Sequence, residues 1–160
     1  MSGKRDLPDG APMSFSERNI ITELLSNAVI LVLFIRTLTA RHATGAFDGP
    51  DGMMIWARMV LWMIPAAIVA GIVVTLLFTA AHRLITGEPH DTLMDERDRL
   101  IAGLGWKVTM IVTATGFVAC LGALAAGLAV FIVLNLMLAS FAAGDTAGNL
   151  AKFFAYRRGG

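Results

Sequence analysis

Most of what marks a soluble enzyme or a nucleic-acid binder is scarce in this chain. There is one cysteine, Cys120, so no internal disulfide can form and the redox compartment is not encoded in cysteine spacing. Charged residues make up only 16% of the 160 residues and the formal net charge is +1. The basic side chains are spread along the chain rather than gathered on one segment, which excludes the concentrated cationic surface that phosphate backbones require. No phosphate loop, glycine-rich nucleotide fingerprint or supported Ser-His-Asp arrangement occurs. The three histidines, His42, His82 and His90, lack a helical His or Cys partner at ligand spacing. The acids Glu88, Asp91, Asp95, Glu96 and Asp98 do not have calcium-loop spacing, and read as a solvated acidic stretch. Neither a catalytic residue, nor a metal, nor a cofactor is expected, and the chain reads as non-enzymatic.

What is abundant is apolar surface. Apolar residues reach 56% and the mean hydropathy is +0.69, against roughly 45–50% apolar and about 25% charged residues in soluble domains. Four apolar stretches, 20–40, 60–81, 104–121 and 128–143, carry this excess. A hydrocarbon core of about 30 Å takes about 20 helical residues, so the first two are membrane spans. The last two belong to one run, 100–143, which as a single helix would extend about 66 Å, twice the bilayer, and must therefore turn. Gly122 and Gly127 bracket the small-residue stretch GALAAG and place the turn there. Long, unalternating apolar runs exclude a barrel, because backbone groups in lipid must then be satisfied inside helices.

The expected fold is all-α and polytopic: a polar, disordered N-terminus over 1–13, then one four-helix transmembrane domain over 14–160 with spans near 18–40, 55–82, 100–122 and 127–152. The first apolar run is too long for a signal core and no small-residue cleavage site follows it, so span one is expected to stay as an anchor. Lys4, Arg5, Arg18, Arg83, Arg97, Arg99, Lys152, Arg157 and Arg158 fall on one side of these spans. Only Arg36, Arg41 and Arg58 fall near the other, which predicts both termini and the central loop in the cytoplasm.

The helix ends follow an electrostatic rule. Glu17 and the acids of Asp95–Arg99 stand where helices one and three begin, and bases stand where helices two and four end, as the helix dipole favours. Ser16–Val32 laid over Asp95–Ile111 gives four identities, compatible with two parallel two-helix repeats about an axis along the membrane normal or with a shared charge rule alone.

The element DERDRLI after span two, the single acid Asp145 in span four and the terminal YRRGG together resemble a group of uncharacterised, small, four-span bacterial inner-membrane proteins. Those carry an Asp-Glu-Arg-Asp element opening helix three and a Tyr-Arg-Arg-Gly tail, and are often encoded beside a helix-turn-helix regulator. The likeness is strongest over 91–160. It implies an inner-membrane location and a cytoplasmic partner, a small transcription regulator being the natural candidate. A mixed-charge knob of Asp95, Glu96, Arg97, Asp98, Arg99, Arg157 and Arg158 at the cytoplasmic face is the surface such a partner would read.

Two charges lie deep in the spans. Lys107 is ten residues beyond Arg97 and Asp145 twelve before Arg157, which puts them about 15 and about 18 Å from the same face. Charge at that depth costs about 2.5–3.5 kcal/mol and is normally paired, so matched depth predicts a Lys107–Asp145 pair. Ser140, Gly144 and Gly148 form a small-residue ridge on helix four, and Ala67 with Gly71 another on helix two. These ridges fit contacts within a chain or between copies, so a homo-oligomer stays open. Two functions compete at this point: a membrane protein that holds or signals to a partner, which the cytoplasmic charge favours, and a small oligomeric transporter or proton conduit using Lys107 and Asp145.

Overall fold

The computed structural model describes residues 15–86 and 96–158. The expected N-terminal disorder over 1–13 and the acid Asp95 lie outside those residues. Four helices account for the described chain: α1 Phe15–Ala43, α2 Gly52–Thr86, α3 Glu96–Ala125 and α4 Val130–Arg157. Each is long and apolar enough to cross a membrane, and many of their large apolar side chains are exposed. None of the most apolar window of α2 and only 17% of that of α1 is buried inside the protein. Leu61, Trp62, Leu76, Leu77, Ile111 and Val118 are all exposed, an arrangement water would penalise and hydrocarbon rewards. The chain is a multi-pass membrane protein.

The helices alternate in direction. The starts of α1 and α3 and the ends of α2 and α4 share one end of the bundle, called proximal here, and two tight hairpins close the distal end. Both hairpins turn by the same device. At the first, Gly45 has φ +68, its N–H donates to the His42 carbonyl at 3.0 Å, and Ala46 N–H donates to the Arg41 carbonyl at 3.1 Å. At the second, Gly127 has φ +88, its N–H donates to Leu124 at 3.0 Å, and Leu128 N–H donates to Ala123 at 3.1 Å. These are Schellman caps with glycine in the left-handed position that L side chains avoid. The expected turn between Gly122 and Gly127 is corrected accordingly. α3 continues through Gly122 to Ala125, because the left-handed glycine that ends the helix is Gly127 alone.

Packing runs α2 on α1, α1 on α4, and α4 on α3, with the last contact much the most extensive. The reason is steric. α3 turns Gly105, Thr109, Thr113 and Gly116 toward α4, which answers with Ser140, Gly144 and Gly148. A β-carbon at Gly148 would lie 2.8 Å from the Gly105 carbonyl oxygen and would overlap the Thr109 hydroxyl; one at Gly144 would lie 3.0 Å from the Thr109 carbonyl. Such backbone approach is what small residues permit in lipid, where apolar burial gives helices no drive to associate. Within the chain Gly71 of α2 meets no such neighbour: a β-carbon there would meet nothing within 4 Å, and Ala67 and Gly71 line clefts. The two hairpins thus share their turn but not their packing.

Aromatic contacts finish the distal end, where His42 of α1, Phe47 of the turn and Phe131 of α4 stack with centroids 5.3–6.4 Å apart. At the proximal end Tyr156 Oη donates to Asp98 Oδ1 at 2.7 Å, and Arg97 donates to the Tyr156 carbonyl at 3.4 Å.

The α3–α4 contact makes a direct prediction. Gly148→Leu should destabilise the chain by about 1–3 kcal/mol, the usual cost of overpacking. Gly103→Leu, on a face with nothing within 4 Å, should not. Thermal loss of helicity in mild detergent distinguishes them, and equal midpoints would show that the helices do not pack through Gly148.

Candidate functional site

Polar side chains are sparse in the spans, yet three helices bring theirs together. On α1, Asn19, Thr22, Glu23, Ser26 and Asn27 recur every three or four residues and so form one stripe along one face. α4 presents Asp145, Asn149 and Lys152 at the same helical spacing, and α2 adds Gly71 and Thr75. Where α1, α2 and α4 converge lies a cleft of about 330 Å³ lined by the α1 stripe, Gly71, Thr75, Asp145 and Asn149. Thr22, Ser26 and Asn149 are buried in its walls.

The cleft has a direction. Asn19 is four residues from the start of α1, about 6 Å along the helix, whereas Asn27 is twelve residues in, about 18 Å. Asp145 lies twelve residues before Arg157 at the end of α4, the same depth measured from the same end. Polar groups therefore lead from the proximal end to the middle of the span and stop at Asp145. There the Asn27 amide Nδ2 donates to Asp145 Oδ2.

Lys107 does not take part, which corrects the expected Lys107–Asp145 pair. Depth matches but direction does not. α3 faces α4 through Gly105, Thr109 and Thr113; Lys107, two residues past Gly105 and so about 200° around the helix, is exposed on the other side. Its long apolar stem allows the ammonium to reach toward the interface. The ion pair found in the cleft is a different one: Lys152 Nζ stands 2.8 Å from Glu23 Oε2, joining α4 to α1. Among the described residues no cation pairs with Asp145. Among the described residues the charge count of the cleft follows: Glu23 and Lys152 cancel, and an ionised Asp145 leaves one negative charge.

The proximal charge cluster is only partly available to a partner. Asp98 and Arg97 bind Tyr156 within the chain, with the Arg97 guanidinium 6.0 Å from the Tyr156 ring, and Arg157 lies 5.0 Å over Phe153. Glu96, Arg99 and Arg158 are exposed there, and Asp95 falls outside the described residues. Asp98 accepts from the Tyr156 hydroxyl, a bond that clamps α4 to α3.

A second, apolar cleft of about 660 Å³ continues from the first toward the distal end, again between α1, α2 and α4. Asn27, Ile30 and Asp145 line both, so the carboxylate stands at their junction. At the far end Trp56 Nε1 donates to Asn135 Oδ1 at 3.3 Å and ties α2 to α4. The α1 stripe and the Glu23–Lys152 pair are the features that reading the sequence missed. The stripe was visible as a period of three to four in weakly polar residues, inside a run otherwise read only for its hydropathy. No protein-family model matches this chain, and no curated protein or solved structure matches it either.

Glu23 and Lys152 should behave as a coupled pair. Glu23→Gln and Lys152→Met each leave one charge unanswered in the cleft, whereas the double variant removes both. The double variant should lose less thermal stability than the two single losses summed, by about 1 kcal/mol. Strict additivity would show that the pair contributes nothing.

Proposed function

We propose that this chain is a non-enzymatic protein of the bacterial inner membrane, both termini cytoplasmic, that loads a cation onto Asp145 through the polar cleft. The orientation rests on the asymmetry of lysine and arginine between the two ends. With that orientation the proximal end is cytoplasmic, and the cleft is an inward-facing path that ends halfway across the bilayer. One observation carries the reading: Asp145 sits at the inner end of a lined polar path, held by a neutral amide, while the other carboxylate of the cleft has its own lysine. Carboxylates at bilayer depth are expensive, and one without a resident cation is satisfied by a proton or by a cation that comes and goes. Proton exchange at Asp145 with cytoplasmic water is the minimal form of this activity, and the small chain fits a transporter subunit better than a complete carrier with a closed chamber.

Holding a cytoplasmic regulator is the weaker reading of the same molecule. Asp98 and Arg97, two central members of the surface such a partner would read, are engaged by Tyr156 inside the chain. What stands exposed for docking without an engagement described above is a narrower patch of Arg99 and Arg158.

Dicyclohexylcarbodiimide tests the cation reading, because it partitions into bilayers and adds to protonated carboxylic acids there. In membrane vesicles it should modify Asp145, faster as the cytoplasmic-side pH falls, with the modified peptide identified by mass. Glu23, paired with Lys152, should react less. Absence of label on Asp145 across the pH range would contradict a proton-exchanging site.

A further inference from the structure

The apolar cleft has no part in loading a proton, which needs only the polar path. It is nevertheless the larger of the two, about 660 Å³ against 330 Å³, within the range that holds a drug-sized molecule. Its walls are Leu31, Phe34 and Ile35 from α1, Ile64 and Ala67 from α2, and Leu138 from α4. These are side chains of the kind that line ligand pockets, with the few polar groups confined to its ends. Asn135 marks the distal end and Asp145 the proximal one. The Trp56–Asn135 bond bridges α2 and α4 distally, and the two helices make little other direct contact beside the cleft.

From this geometry, and resting on the cation-loading reading above, we infer that the two clefts together form a site for an amphiphilic organic monocation. Its charged head sits at Asp145 and its apolar body fills the cleft between α1, α2 and α4. Charge fixes the class. Glu23 and Lys152 neutralise each other, α2 contributes Gly71 and Thr75 without charge, and α3 does not line the cleft, so among the described residues Asp145 sets a demand for one positive charge. An anion would meet an uncompensated carboxylate, and a zwitterionic lipid head would bring a phosphate with its ammonium. A monocation leaves the cleft neutral.

Loading exchanges charge for charge. When Asp145 is protonated, binding of one monocation releases one proton through the polar path toward the proximal end, and the carboxylate then pairs with the cation. Affinity should therefore fall as the pH is lowered, because protons and the monocation compete for one carboxylate.

The full chain in phosphatidylcholine nanodiscs and radiolabelled tetraphenylphosphonium, a permanent cation with four apolar rings, provide the test by equilibrium dialysis. Binding above that of empty nanodiscs should be saturable, should follow the pH rule, and should slow carbodiimide labelling of Asp145. Tetraphenylborate, of the same shape and opposite charge, should not compete. Asp145→Asn, which retains an acceptor for the Asn27 amide, should reduce affinity at least tenfold, and Ala67→Phe, which fills the apolar cleft from α2, should do likewise. Binding that survives Asp145→Asn, or that survives Ala67→Phe, overturns the inference, as does binding no greater than to empty nanodiscs. If carbodiimide labels Asp145 but the phosphonium does not bind, this inference fails and proton loading stands; if neither occurs, both fail.

Discussion

The close approach of α3 and α4 fixes where every polar group in the bundle can point. Gly105, Gly144 and Gly148 let the two backbones come together until a β-carbon at Gly148 would be 2.8 Å from the Gly105 carbonyl. Helices in hydrocarbon gain nothing from hiding leucines, so a stripe without side chains is what selects one rotational setting of α4. With Gly144 and Gly148 turned to α3, Asp145 is turned away from it, toward α1. The same setting places Lys107 on the far side of α3. An intramembrane lysine and an intramembrane aspartate at one depth are thereby kept apart, and the carboxylate is delivered to the cleft.

Around that carboxylate the bundle distributes its charge asymmetrically. Lys152 reaches across to Glu23, so the upper part of the cleft carries a neutral pair that also ties α4 to α1. Asp145 receives only an amide hydrogen bond from Asn27. A full salt bridge at Asp145 would close the site electrostatically, because a buried pair resists the removal of either partner. An amide donor instead holds the carboxylate in place in either protonation state, since one oxygen can accept while the other gains or loses a proton. Loose contact between α2 and the rest of the bundle has the complementary effect: it leaves room beside Asp145 that the tightly packed α3–α4 pair could not offer.

The class of fold was legible because it depends on quantities that survive without coordinates. Run length against bilayer thickness gives four spans, and a run of twice the needed length must turn. Gly127 marked that turn; Gly122 did not, since a glycine in a helix and a glycine in a cap look alike until the carbonyls they satisfy are known. The site was legible only in part. Asp145 stood out as the acid of span four, and residue counts give its distance from the helix end, but that distance is one coordinate of two. Direction around the helix axis depends on which faces pack, and the Gly105, Thr109, Thr113 stripe that decides it does not stand out in the mixed apolar stretch GWKVTMIVT. Asn19, Thr22, Ser26 and Asn27 were hidden by their modest polarity within an apolar run. Glu23 stands eight residues into α1, near the end of the span, where a carboxylate needs no partner, so residue counts alone do not pair it with Lys152.

The central claim is that a water-accessible path enters the bilayer between α1, α2 and α4. Two neighbouring residues of α2 test it at one depth: Thr75 lines the polar cleft, whereas Leu76 is 63% exposed on the outer surface of the bundle. Single cysteines at these positions, in a Cys120→Ala background, can be treated with a charged methanethiosulfonate in inside-out vesicles, which only a hydrated, ionisable thiol attacks. Modification of Thr75→Cys with Leu76→Cys left untouched is the predicted result; a Thr75→Cys as inert as its neighbour would mean that the cleft is dry and the account of Asp145 is wrong.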